Sequence, residues 1–246
     1  MVNFVHKAIP GCAVFGLMAC SILAQTPFTV SGKANIYAAG SSTSEGEPPV
    51  EIRLPPAVGT EQAVQFTGVA GSVGNGVTTN GPDGRIELGS EGAEVMNKAA
   101  GTLIRAEHGL SALAVLHRYT FLTGVFLGST LPPQTPVGLV FTDEDNADTL
   151  SPELGQTFFI GSGITTSGKP RTFRVPEGAT RLYLGISDVC DLNKFAPAAC
   201  YGDNSGSFSG EVLFLTRSCR WIPARETSAS LRPASCGGAD GCSGRK

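Results

Sequence analysis

Residues 181–214 read RLYLGISDVCDLNKFAPAACYGDNSGSFSGEVLF. The first run alternates: Leu182, Leu184 and Ile186 point one way, and Arg181, Tyr183 and Ser187 the other. A period of two is the mark of a strand. A second run places Phe208, Val212 and Phe214 on one face, with Ser207, Ser209 and Glu211 opposite. Together the two runs read as a long hairpin. Its loop carries Asp188, Asp203, Asn204 and several small residues whose backbone carbonyls are accessible. Oxygen donors without a His or thiol pair at metal spacing suit a hard cation such as Ca²⁺.

Working outward, the same short strands recur between turn residues. A first strand is expected from Pro27 through Tyr37, then Val50–Leu54, stopped by Pro55-Pro56. Gln62–Val69 alternates Val64 and Phe66 against Gln65 and Thr67, and leads into the glycine-rich stretch Gly71–Arg85. Leu110–His117 and Tyr119–Leu127 form an apolar block, followed by Val137–Phe141, Phe158–Ile160 and Arg171–Val175. Ser90–Ala100 is the one short helix expected, with Ser90 as its cap. The pattern predicts an all-β fold, a β-sandwich of antiparallel strands.

The 246 residues divide into four expected parts. Residues 1–24 read as a secretory signal peptide with an apolar stretch Ala8–Leu23 and cleavage after Ala24. A second reading takes Leu17-Met18-Ala19-Cys20 as a lipoprotein processing site with Cys20 lipidated. Residues 25–59 supply N-terminal strands and a loop, 60–216 the main sandwich, and 217–246 a basic tail expected to be disordered. No later segment is long and apolar enough to span a bilayer. The tail holds six Lys/Arg against Glu226 and Asp240, which leaves the body acidic. An acidic body argues against nucleic acid as a partner. A secreted or periplasmic location permits disulfides. Cys190 and Cys200 bracket the insertion in the key loop and are expected to pair, leaving Cys219, Cys236 and Cys242 without a zinc-like spacing.

Tyr201-Gly202-Asp203-Asn204-Ser205-Gly206-Ser207-Phe208, entered through Leu182-Tyr183-Leu184 and Asp188, resembles the C-terminal signature of the PA-I-like galactophilic lectins. Gly71-Ser72-Val73-Gly74 with Gly81-Pro82-Asp83-Gly84-Arg85 is similar to that family's first site loop. Gly124–Gly128 and Phe173-Arg174-Val175-Pro176 look like its central strand and turn. The likeness spans roughly residues 60–215 and is specific over 182–214. It implies a jelly-roll-like sandwich in a secreted protein that binds Ca²⁺, the ion in turn taking two hydroxyls of a galactose-type sugar. By motif, Asp188, Asp203 and Asn204 would supply side chains, and Val73 and Cys200 backbone carbonyls. Asp188, Val189 and Asp203 would border the sugar, and a homo-oligomer is among the forms expected. Two departures stand out. The Cys190–Cys200 insertion separates donors that the family spaces tightly, and Arg85-Ile86-Glu87-Leu88 stands where its sugar-contacting His-Pro belongs.

Other chemistries fit less well. Asp143, Asp145 and Asp148 lie in an acidic stretch, but an EF-hand counted from Asp143 would put Asp148 at the glycine position and Leu154 at the glutamate position. A solvated loop is the expectation there. His108 and His117 have no adjacent nucleophile motif, and no Gly-x-Ser-x-Gly occurs. Asp188 and Asp203 on one loop suit ligation better than the flanking acid–base work of a glycosidase. The expected function is calcium-dependent carbohydrate binding without catalysis. Its rival is an envelope interaction protein in which calcium only stiffens the loop.

Overall fold

The strand Arg181–Ser187 and the strand Ser205–Arg217 do not pair with each other. In the computed structural model, which describes residues 20–41, 45–56, 61–76, 78–84, 101–142 and 146–217 (backbone only for 20–23 and 217), they lie in different sheets. In chain order the strands are β1 (Cys20–Ser31), β2 (Val50–Arg53), β3 (Gln62–Gly74), β4 (Thr79–Asn80), β5 (Gly101–Ile104), β6 (Leu113–Leu116) and β7 (Phe121–Leu127). They continue with β8 (Leu139–Phe141), β9 (Thr149–Leu150), β10 (Thr157–Phe159), β11 (Thr172–Arg174), β12 (Arg181–Ser187) and β13 (Ser205–Arg217).

One sheet has the order β1-β13-β3-β11-β9, with β4 added beside the end of β3. A second has the order β10-β7-β12-β2, and a third, smaller one β5-β6-β8. Pairing is antiparallel except for β11 with β9 and β6 with β8. The architecture is an all-β sandwich, as the spacing of strands and turns predicts.

The expected hairpin is therefore corrected to a crossing between sheets. Period two identifies a strand but not its neighbour. β12 is buried on both faces from Leu182 to Ser187, because it is central between β7 and β2 and is covered on either side. β13 keeps the alternation, burying Phe208, Val212 and Phe214. An interior of stacked and edge-on rings joins the two main sheets: Phe66 to Phe173 at 5.4 Å, Phe173 to Phe158 at 5.0 Å, and Phe158 to Phe126 at 5.2 Å between centroids. Gly124 makes this possible, since a Cβ there would lie 2.7 Å from the Phe158 ring.

The first strand also differs from its expected span. β1 begins at Cys20 and ends at Ser31, and Ile36–Ala38 is a 3-10 turn capped by Asn35, whose Oδ1 accepts the Tyr37 N–H at 2.8 Å. Cys20–Ala24, assigned above to the end of a signal peptide, are registered against β13; cleavage after Ala24 would leave β1 paired from Gln25↔Leu213 to Ser31↔Ser207. Both N-terminal strands are edge members of the main sheets, β1 beside β13 and β2 beside β12. The helix expected at Ser90–Ala100 and the basic tail after Arg217 lie outside the described residues, as do Asp143 and Asp145. Among the described residues no helix is long and apolar enough to cross a membrane.

Candidate functional site

The crossing segment between β12 and β13 is pinned at many points. Its middle docks on β5: the Arg105 N–H donates to Ala196 O at 3.0 Å and the Ala196 N–H to Leu103 O at 3.0 Å. Ala198 N–H donates to Glu107 Oε1 at 2.7 Å, and Ala199 N–H returns to Asp188 O at 3.1 Å. Cys190 and Cys200 are joined in the expected disulfide, with Cα atoms 5.4 Å apart. Cys200 takes the left-handed conformation (φ 71°), then Tyr201–Asp203 forms a 3-10 turn. The fully buried Tyr201 donates its hydroxyl to Ile186 O at 3.0 Å, which ties that turn to the end of β12.

These ties bring Asp188 and Asn204 together. Asp188 is 5% exposed and Asn204 2% exposed. Asp188 Oδ1 accepts the Val189 N–H at 2.8 Å, and Oδ2 accepts Asn204 Nδ2 at 2.9 Å. The same Nδ2 also donates to Gly32 O at 2.9 Å. Among the described residues, the buried Asn204 Oδ1 has no hydrogen-bond partner. Burying an unpartnered carbonyl normally costs about 1–3 kcal/mol.

The charge at Asp188 is as unusual as the amide beside it. Burial pushes its carboxyl up to about 7, the bonds from Asn204 and Val189 pull it down, and the charges of Asp203 and Glu45 push it further up. Among the described residues no Lys, Arg or His forms an ion pair with it. Buried carboxylates ordinarily come with a partner cation or a metal. Tyr201, buried beside it, has its hydroxyl held well above the usual tyrosine range by burial first and by the Asp188 charge second.

The remaining expected donors are placed as follows. Asp203 is exposed at the end of the 3-10 turn, and a Cβ on Gly76 (φ 76°) would lie 3.1 Å from its Oδ2. Val189 is buried, and its described polar role is to donate its N–H to Asp188. Cys200 directs its N–H at Glu45 Oε1 at 2.6 Å. Val73 lies within β3, registered to Gly206 on one side and to Asn80 on the other. The arm that meets Asp203 is thus the turn at Gly76, three residues further on.

The glycine-rich stretch was expected to form one half of a single site, and the structure divides it. Asp83 lines a different cavity of about 320 Å³, together with Arg118, Phe159, Ser162, Thr165 and Arg171. There Asp83 Oδ1 accepts the Ser162 N–H at 2.7 Å. Arg118 donates Nη1 to Asp83 O at 3.1 Å and lies 5.0 Å over the Phe159 ring.

Sequence reasoning missed Glu45 and Gly32. Both come from the N-terminal segment and reach the loop only through the fold. The sole signal was Glu45-Gly46-Glu47 closing an otherwise uncharged Gly/Ser stretch.

The fit of a cation can be judged from these atoms. All candidate donors are hard oxygens, which matches Ca²⁺. Among the described residues no three His, Cys, Asp or Glu side chains converge to hold a metal ion unaided. A cation here depends on the Asn204 amide and on backbone carbonyls as well. The unpartnered Asn204 Oδ1 and the cation-free Asp188 are the two groups such an ion would satisfy.

Compared with protein-family models, with curated proteins and with solved structures, the chain matches none, so its likeness to the PA-I-like lectins stands on the quoted motifs.

Proposed function

We propose that this chain is a calcium-dependent carbohydrate-binding protein that acts by binding rather than catalysis. Asp188, Asp203 and Asn204 would hold the ion through side-chain oxygens, with backbone carbonyls from Cys200 and from the Val73–Gly76 arm. When bound, Ca²⁺ supplies positive charge to these carboxylates and open coordination positions to vicinal hydroxyls. The protein's own part is positional. The disulfide and the Tyr201 hydroxyl fix the turn that carries Asp203 and Asn204, while the end of β12 fixes Asp188.

The observation that carries the reading is the pairing of a buried carboxylate that has no cation with a buried amide oxygen that has no donor. The group that meets the Asp188 carboxylate at Oδ2 is the Asn204 amide N–H. A direct test is titration calorimetry with Ca²⁺, followed by a panel of neutral glycans in Ca²⁺ and in chelator. Micromolar uptake of Ca²⁺ with sugar heat only in its presence is expected. Absence of any ion uptake would sink the proposal.

A second reading has an observation of its own. Asp188 and Asn204 are almost wholly buried, so an ion between them has little face open to a sugar except on the Asp203 side. In that reading the ion stiffens the loop of an extracellular interaction domain. Ion uptake with no sugar signal across the panel would select it.

A further inference from the structure

The cavity that holds Asp83 differs from the crossing loop in composition but shares its end of the molecule. Ser187 at the end of β12 pairs with Phe121 at the start of β7, and Phe159 at the end of β10 pairs with Thr123. Arg118, Ser162 and Asp188 therefore all lie beyond the same end of that sheet. The cavity wall is fixed by its backbone: Asp83 Oδ1 accepts the Ser162 N–H at 2.7 Å, the Asp83 carbonyl accepts Arg118 Nη1 at 3.1 Å, and the Arg171 N–H donates to Gly163 O at 2.8 Å. Gly161 (φ 61°) is required there, since a Cβ would collide with Asp83 Oδ1 and stand 2.6 Å from the Phe159 ring. The charged side chains of the lining are Arg118, Arg171 and Asp83, which leaves one positive charge in excess. Both guanidinia are almost wholly buried, so salt and solvent screen them poorly. At about 320 Å³ the space lies at the small end of ligand pockets, which run to about 300–1,000 Å³.

We propose that this cavity is a second ligand site, which takes a small sugar acid carrying a single carboxylate. A guanidinium fork meets a carboxylate with two parallel N–H···O bonds and can serve scaffold and ligand together. Arg118 and Arg171 hold the carboxylate, and the Ser162 hydroxyl meets a hydroxyl of the sugar. The rings of Phe141 and Phe159 give the apolar wall that the C–H face of a sugar needs. The excess of one charge selects a monoanion, because a dianion such as sulfate would be left with a charge uncompensated against a buried wall. The site uses no metal and does not rest on the calcium reading.

Calorimetry on the full chain in chelator tests it, with glucuronate, galacturonate, glucose, galactose and sulfate as probes. At least one uronate should bind with a Kd of about 1 mM or tighter, and on the order of tenfold more tightly than the neutral sugars or sulfate. Thr166, exposed where it lines the cavity, gives variants that leave the buried wall alone. Thr166→Glu should weaken uronate binding on the order of fivefold, and Thr166→Lys should match or exceed the wild type. Both should melt at the wild-type temperature without ligand. Arg171→Lys keeps the charge but loses the fork, and should weaken binding on the order of tenfold; should that variant fold poorly, the Thr166 pair decides alone. Sulfate or neutral sugars binding as tightly as the uronates would overturn the sugar-acid assignment. An unchanged uronate affinity in Thr166→Glu would put the ligand elsewhere and overturn the cavity. So would uronate binding that appears only with Ca²⁺, which would assign it to the crossing loop. A wild-type chain that gives no uronate signal in chelator or in Ca²⁺ would also overturn the inference, and would leave the calcium reading to its own titration.

Discussion

Two places in this sandwich bury charge, and they do so in opposite ways. Around the 320 Å³ cavity the charges are mixed: Arg118 and Arg171 are 6% and 3% exposed, and Asp83 shares the wall with them. Arg118 is also held by the Asp83 carbonyl and the Phe159 ring. At the crossing loop, Asp188 is buried with only an amide and a backbone N–H for company, and the nearby charges that it feels are Asp203 and Glu45. A mixed cluster carries charge of both signs within its own wall. A cluster of one sign has no such partner within it, and in the proposed function a cation would supply it.

The largest effect should come from breaking the mixed cluster. Arg118→Ala removes a buried guanidinium, its bond to the Asp83 carbonyl and its packing on Phe159, and is expected to cost about 2–5 kcal/mol. Urea unfolding should show that loss equally in Ca²⁺ and in chelator. A loss confined to one of the two conditions would mean that the regions are coupled rather than separate.

The one-sign cluster predicts a pH dependence of unusual sign. The folded carboxyl of Asp188 lies near 7, above its ordinary value of 3.8. Its contribution to stability is therefore full below about pH 4 and is lost as pH rises through about 7. In chelator, the wild type should lose a few kcal/mol relative to Asp188→Asn between pH 4.5 and pH 8, on the order of one pKa unit per 1.4 kcal/mol. Saturating Ca²⁺ should abolish the difference in the wild type and do nothing for the variant. A flat difference across that range would show that Asp188 is compensated in some other way.

The disulfide sets the next step down. A bridge across 10 residues constrains the unfolded chain by about 2.5 kcal/mol in the entropic account. Cys190→Ser with Cys200→Ser should cost about that much. It should also weaken Ca²⁺ binding, because the bridge joins the residue two after Asp188 to the residue three before Asp203. Equal stability losses with unchanged ion affinity would make the bridge a scaffold element only.

How much of this was legible beforehand depends on the range of the interaction. The strand at Leu182–Ile186 and the bridge from Cys190 to Cys200 are local patterns, and both are present. The hairpin was misread because alternation says nothing about partners, and because β12, buried on both faces, belongs between β7 and β2. Asp188 and Asn204 were placed together by motif. The acceptor Gly32 and the carboxylate Glu45 could not be, since 172 residues separate Asn204 from the first and 155 separate Cys200 from the second. Val73 stays within the ladder, registered to Gly206 and Asn80, and it is Gly76, three residues on, that comes beside Asp203.

The smallest effect tests whether acidity alone explains the loop. Asp191 lies on the same crossing segment as Asp188, but it is solvated, its carboxylate meets Lys194 at 2.9 Å, and that pair holds its carboxyl below the usual range. An exposed pair of this kind is screened and its net worth is small. Asp191→Ala should leave the melting temperature in chelator, its rise in Ca²⁺ and the pH profile all at wild-type values. Asp188→Ala should erase the Ca²⁺-dependent rise. If Asp191→Ala also reduced that rise, the ion would be drawn by the general negative field of the loop. If it does not, burial without a counter-charge distinguishes the site, and the two aspartates three residues apart mark its boundary.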